Sequence, residues 1–192
     1  NYRYKNYTFQ QLLNWNHAFG DHTVGVLVGH ENYANNYNYL YGYKTTQVFE
    51  GESAMINFKE VTNLYDYENN YRTESYLSRI RYNYKEKYNL EASFRRDGSS
   101  RFHKDNRWGN FGSIGANWMV SEEEFMKDIT WVNSLKLRAN WGIVGNDAGS
   151  GYYGYMALYS NSQNANKGAY YLSQNEAYNL KWEGSESYGF AA

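Results

Sequence analysis

The chain of 192 residues contains neither cysteine nor proline. Without thiols it can form no disulfide and offers no thiolate to a metal. Proline removes a backbone donor that a central strand needs, and at its usual frequency of about 5% roughly ten would be present. Their absence suits a chain that is mostly paired sheet. No apolar run approaches the ~20 residues that a membrane-spanning helix needs. Nineteen Lys and Arg against 20 Asp and Glu leave a net charge of −1, which supplies no basic surface for nucleic acid or for an anionic membrane surface. Nucleic acid is therefore not an expected partner. Aliphatic residues are scarce too: the mean hydropathy is −0.88, too low for a large core buried on two sides. What the chain has instead is aromatic residues, 20% of the total, with 23 Tyr.

Between Tyr76 and Asn146 the pattern has a period of two. In the run 88–95, Tyr88, Leu90, Ala92 and Phe94 alternate with Asn89, Glu91, Ser93 and Arg95. In 135–141, Leu135, Leu137, Ala139 and Trp141 alternate with Lys136, Arg138 and Asn140. Side chains on a strand point alternately to opposite faces, so each segment has one apolar and one wet surface. A wall between lipid and water needs that sorting. Strand signals fall at about 7–19, 22–35, 71–84, 88–97, 108–120, 134–146 and 180–191. The expected fold is all-β: an antiparallel up-and-down meander of about seven strands, an open curved part of a large transmembrane β-barrel. Residues 1–192 would form one partial barrel domain, and both ends read as positions inside a longer chain.

The expected lipid face carries Val24, Val26, Leu90, Phe94, Ile114, Trp118, Leu135, Leu137 and Trp141. The expected lumen face carries Arg79, Arg81, Glu91, Arg95, Lys136 and Arg138, placed for cross-strand ion pairs or for facing a plug. A solvated outer face of a soluble sheet would present the same charged residues, and burial separates the two readings. Connections alternate in length. Residues 19–22 and 85–87 are tight, whereas 36–70 and 147–179 are long, the asymmetry of barrels with short periplasmic turns and long outer loops. Trp15, Phe19, Tyr82, Tyr84, Tyr88, Trp118 and Trp131 lie near the short-turn ends, where rings with a polar handle fit a membrane boundary. Ser121 followed by Glu124 has the spacing of a capping box and predicts a short helix near 122–128. The long connections hold Tyr39, Tyr41, Tyr43, Tyr152, Tyr153 and Tyr155, which could stack on sugars, dock a partner protein, or simply be solvated.

No constellation for chemistry emerges. Gly149-Ser150-Gly151-Tyr152-Tyr153-Gly154 matches a dinucleotide fingerprint by letter but lacks the strand before it and the helix after it. His17, His22, His30 and His103 have no metal-ligand spacing. Glu122, Glu123 and Glu124 are accounted for by a helix start. Neither a catalytic site, a metal site nor a cofactor is expected, and the chain does not read as an enzyme. The rival to a membrane wall is a soluble or surface-attached all-β module binding carbohydrate through Tyr-rich loops, which needs a second sheet to bury Leu90, Phe94, Leu135, Leu137 and Trp141.

Four ordered runs resemble a known family: Tyr88 to Phe102, Arg107-Trp108-Gly109-Asn110-Phe111, Asn117-Trp118-Met119-Val120-Ser121-Glu122-Glu123-Glu124-Phe125, and Leu135 to Asn146. Together they resemble the SusC/RagA-type TonB-dependent outer-membrane transporters. Residues 7–31 and Asn179-Leu180-Lys181-Trp182-Glu183 fit less specifically. The chain departs from the family pattern at Gly112 and at Ala177-Tyr178, where proline is usual. The resemblance implies a 22-stranded barrel in the cell outer membrane, with a plug domain and a TonB-contacting box outside these residues. It further implies outer-membrane lipid, TonB and a SusD-like surface lipoprotein as partners, and an oligosaccharide or peptide as cargo.

Overall fold

The computed structural model describes residues 1–164 and 167–192. Seven strands form one antiparallel sheet in the order β1 (Tyr2–Phe19), β2 (His22–Gln47), β3 (Phe58–Tyr84), β4 (Tyr88–Ser99), β5 (Trp108–Met119), β6 (Lys136–Asn146) and β9 (Glu183–Ala191). Among the described residues, β7 (Leu158–Asn164) and β8 (Lys167–Gln174) pair only with each other. The expected meander of seven strands is present, open at both sides and not closed into a barrel.

The tight turns lie at one end of the sheet. Gly20 takes the left-handed conformation between β1 and β2, where a missing Cβ removes the steric cost. Lys85 and Glu86 take it between β3 and β4, and the Asn83 side chain steadies that turn by accepting from the Glu86 amide at 3.0 Å. At the opposite end the connections differ from expectation. Residues 36–70 are not a loop: β2 and β3 continue through most of the segment and turn only at 48–57. The reason is visible in the register, where Tyr and Asn face Tyr and Asn on both strands, so pairing persists without apolar–polar contrast. The 147–179 segment likewise contains the β7–β8 hairpin.

The predicted helix near 122–128 occurs as two successive 3-10 turns, Val120–Glu122 and Glu124–Met126. No side chain caps either one. Glu123 is extended between them, and Glu124 turns to Lys127 instead of back to Ser121, so the capping box does not form.

A single layer buries little. Among the described residues Phe102 and Val120 are the buried apolar side chains, with Asn57, Ser75 and Ser99 the buried polar ones. Leu90 and Phe94 remain 51% exposed and Ile114 58%. No second sheet lies over them among the described residues, which removes the sandwich that the soluble-module reading requires.

Candidate functional site

Directly paired residues share a face, so the register sorts every strand residue. One row across the sheet is Trp15, Val26, Ile80, Ala92, Ile114, Trp141 and Tyr188. Its neighbouring rows contain Val24 with Tyr82 and Leu90, and Val28 with Ser78 and Phe94. Trp118 pairs with Leu137 on the same face. All the expected lipid-facing strand residues therefore lie on one surface. Leu135 precedes β6 and accepts from the Ser121 amide through its carbonyl at 3.2 Å, so it belongs to the connection, not the wall.

The opposite surface carries the charged set. Arg81 pairs with Glu91, Arg79 with Ser93, Asn117 with Arg138, and Met119 with Lys136. The ion pairs form elsewhere than the register suggests: Arg95 Nε donates to Asp97 at 2.6 and 2.9 Å, its Nη2 donates to Ser75 Oγ at 3.0 Å, and it reaches Glu31 at 3.6 Å. Glu31 and Asp97 belong to this face and escaped the sequence analysis, although their parity on β2 and β4 was available. Arg95 spans from β4 across buried Ser75 of β3 to β2, tying three strands together.

Where the tight turns lie, aromatic rings line the edge of the apolar surface. Phe19 stacks on His22 at 5.4 Å, His22 contacts Tyr84 at 4.7 Å, Tyr84 meets Tyr88 at 6.2 Å, and Tyr88 meets Trp118 at 6.3 Å. Glu123 anchors the row's far side. Its Oε1 accepts from Tyr88 at 2.5 Å and from Trp118 Nε1 at 3.0 Å, and Lys87 lies 3.7 Å from Oε2. The Tyr88 and Trp118 hydrogen bonds, helped by Lys87, hold the Glu123 carboxyl below the usual glutamate range. Trp131 is 84% exposed and takes no part in the row.

A clamp closes the other end. Phe102, fully buried, packs 5.6 Å from Trp182, which meets Phe111 at 5.2 Å and donates from Nε1 to the Arg107 carbonyl at 2.8 Å. Beside it, Asp147 Oδ2 accepts from Tyr71 at 2.8 Å and from buried Ser99 at 2.5 Å. The Arg101 guanidinium lies 4.7 Å over Tyr71 and 5.2 Å over Tyr152, and its Nη1 donates to the Asp147 carbonyl at 3.2 Å. Burial, with the hydrogen bond to Asp147, raises the Tyr71 hydroxyl well above the ordinary phenol range. Ser99, Arg101 and Phe102 thus supply one side of this clamp.

The Tyr residues expected in loops divide. Tyr39, Tyr41 and Tyr43 sit on β2, not in a loop. Tyr152, Tyr153 and Tyr155 are in turns after β6, where Tyr152 stacks on Arg101 and the Tyr153 hydroxyl accepts from the Asn70 amide at 3.1 Å. Tyr155 instead meets His103, at 6.0 Å. On the hairpin, Tyr2 lies 4.9 Å from Tyr39, Tyr4 lies 4.6 Å from Tyr37, and Tyr37 lies 5.6 Å from Tyr67. Tyr39 lies 5.1 Å from Tyr67 and 5.5 Å from Tyr65, which meets Tyr41 at 5.3 Å. Seven rings form one continuous layer.

No family model matches the chain. It is 37% identical over 180 residues to TonB-dependent receptor P39 of Formosa agariphila, covering 88% of this chain. It is 36% identical over 116 residues, 57% of its length, to TonB-dependent receptor SusC of Bacteroides thetaiotaomicron. The chain spans 16% and 12% of the length of these two relatives. In fold it matches a chain of the RagAB peptide importer in its closed-closed state with a TM-score of 0.87 at 22% identity, covering 98% of this chain and 21% of that one. In sequence and in fold the chain is similar to a stretch of the SusC/RagA-type TonB-dependent receptors.

Proposed function

We propose, from that match to the SusC/RagA type, that residues 1–192 are one stretch of wall in a large outer-membrane β-barrel that imports glycans or peptides. The observation that carries this reading is the sorting of side chains in a single uncovered sheet. Beside the tight turns, apolar rows occupy one surface and end at an aromatic row, while Arg79, Arg81, Glu91, Arg95, Lys136 and Arg138 occupy the other. Backbone pairing within the sheet satisfies the polar groups that lipid cannot, leaving only the outer edges of β1 and β9 for neighbouring wall strands.

In this reading the tight turns are periplasmic and the long hairpins extracellular. Arg79, Arg81, Glu91, Arg95, Lys136 and Arg138 face the lumen and its plug. TonB would act on parts of the protein outside this stretch, and a SusD-like lipoprotein would meet the long-hairpin end. No residue here has a catalytic role.

Single cysteines at Ile114 and at its neighbour Ser113, each carrying a fluorophore, test the orientation in the full-length protein reconstituted in bilayers containing brominated lipid. Quenching is expected at 114 and not at 113. Equal quenching at both positions would remove the wall assignment.

A further inference from the structure

The seven-ring layer is set apart by what shares its surface. Along the β2–β3 hairpin, the Tyr side of the register carries Asn35, Tyr37, Tyr39 and Tyr41 opposite Tyr71, Asn69, Tyr67 and Tyr65. The neighbouring part of β1 adds Tyr2, Tyr4 and Asn6. None of these paired residues is charged, and Arg101 and Asp147 reach the face only at Tyr71, beyond the seven rings. Arg3, Lys5, Asp66 and Glu68 all have the opposite parity: Arg3 pairs with Asn38, which pairs with Glu68; Lys5 pairs with Asn36; and Leu40 pairs with Asp66. Four charges and seven rings on three strands are thus separated onto different faces. A merely solvated hairpin does not require that separation.

Five of the seven rings are exposed, and the central two, Tyr37 and Tyr39, are half-buried between them. Tyr2 and Tyr4 are 64% and 63% exposed, Tyr65 and Tyr67 46% and 44%. The amides of Asn6 and Asn35 bond each other at 2.5 Å at the edge of the layer, on the side toward the charged face of the wall. The surface is therefore a broad aromatic plane with hydroxyl and amide groups at its margins.

We propose that this face is a binding platform for a neutral saccharide. A pyranose ring presents a C–H face that stacks on aromatic rings and an edge of hydroxyls that bond to tyrosine hydroxyls and asparagine amides, and Tyr loses little conformational freedom in providing both. An oligopeptide carries charged termini and side chains that would lose hydration over this plane without gaining a counter-charge. The platform shares its parity with Glu31, Arg79 and Arg81 farther along the same strands and with Arg95 on neighbouring β4, so a bound chain lies at the entry to the wet surface of the wall. This inference rests on the transporter reading and names the cargo class that this part of it takes.

The test uses the full-length protein purified from outer membranes, with a panel of neutral gluco-, manno- and galacto-oligosaccharides and a tryptic peptide pool as probes, read by calorimetry. The wild type is expected to bind a neutral oligosaccharide. The triple variant Tyr37→Ala, Tyr39→Ala, Tyr67→Ala should bind it about tenfold more weakly or worse, while the three Tyr→Phe changes, which keep the rings, retain affinity to within about threefold. Binding of peptides alone, or unchanged saccharide affinity in the Ala variant, overturns the proposal. So does loss of a co-purifying lipoprotein from the Ala variant with saccharide affinity intact, which would make the face a protein contact. Membrane assembly and TonB-dependent uptake are measured in the same strains. Failure of assembly in the wild type sinks the transporter reading, whereas assembly with uptake of peptide only sinks the platform alone.

Discussion

Ile114→Arg is the substitution that most directly weighs the membrane assignment. The register places Ile114 between Ala92 and Trp141, four residues from Trp118 in the aromatic row and four from Asn110, where the surface turns polar beside Arg96. From Tyr88 to Arg96 is eight residues on β4, which is about 27 Å along the strand and about 20 Å in height at a tilt of ~40°. That is close to the ~25 Å apolar band of such barrels, so Ile114 sits near its middle. An arginine there is expected to cost about 2–4 kcal/mol, a loss of about 30- to 700-fold in the folded-to-unfolded ratio. Leu137, paired with Trp118 in the aromatic row, lies at the boundary, and Leu137→Arg should cost only about 0–1 kcal/mol. Arg138→Gln, on the wet surface, serves as the control and should be nearly neutral. The assay is denaturant titration of the full-length protein in bilayers, followed by tryptophan fluorescence and by heat-modifiable mobility. If Leu137→Arg or Arg138→Gln is as damaging as Ile114→Arg, the depth assignment is wrong.

Three further outcomes are expected. A Cβ on Gly112 would stand 2.7 Å from the Ser93 carbonyl oxygen, a backbone atom that moves only with its strand, so Gly112→Ala should cost about 1–3 kcal/mol in the same titration. Gly115→Ala, whose nearest neighbour is 3.9 Å away, should cost far less; equal costs would remove the steric explanation. Asp147→Ala leaves the Tyr71 and Ser99 hydroxyls without their acceptor and should cost about 1–3 kcal/mol, seen as faster hydrogen exchange at 99–102 and 147–153. Because the fold raises the Tyr71 hydroxyl above its ordinary 10.0, its contribution is complete below that pH and is lost as pH climbs through the folded value. Tyr71→Phe should abolish that alkaline loss. Glu123 has the reverse sign: its carboxyl is held below 4.5, so its contribution is complete above that pH and is lost as pH falls through the lowered value. Trp118 fluorescence should follow this acid transition, and a persisting transition in Glu123→Gln would assign it to another group.

Period-two alternation is sufficient to place eight of the nine apolar candidates on one surface of the sheet, because strand parity survives any detail of packing once the segment is a strand. The same parity puts the six charged candidates together on the opposite surface. Leu135 was misplaced because a pattern continues by letter past the point where pairing stops. The strands through 36–70 were missed for the opposite reason, since both surfaces of that hairpin are polar or tyrosine-bearing and alternation carries no contrast. The Ser121-to-Glu124 spacing predicted a cap, but that is a local preference, and Glu123 bound to Tyr88 and Trp118 prevailed over it.

What the sequence alone determined, then, is the all-β class, the two faces and the tight turns at 19–22 and 85–87, all of which are periodic or local properties of the chain. Tertiary structure decided where Arg95 finds its acids, that Asp147 locks Tyr71 from 76 residues away, and that seven tyrosines on three strands merge into one uncharged plane. Those depend on register between distant segments, which hydrogen bonding of whole strands sets and which no local pattern of residues contains.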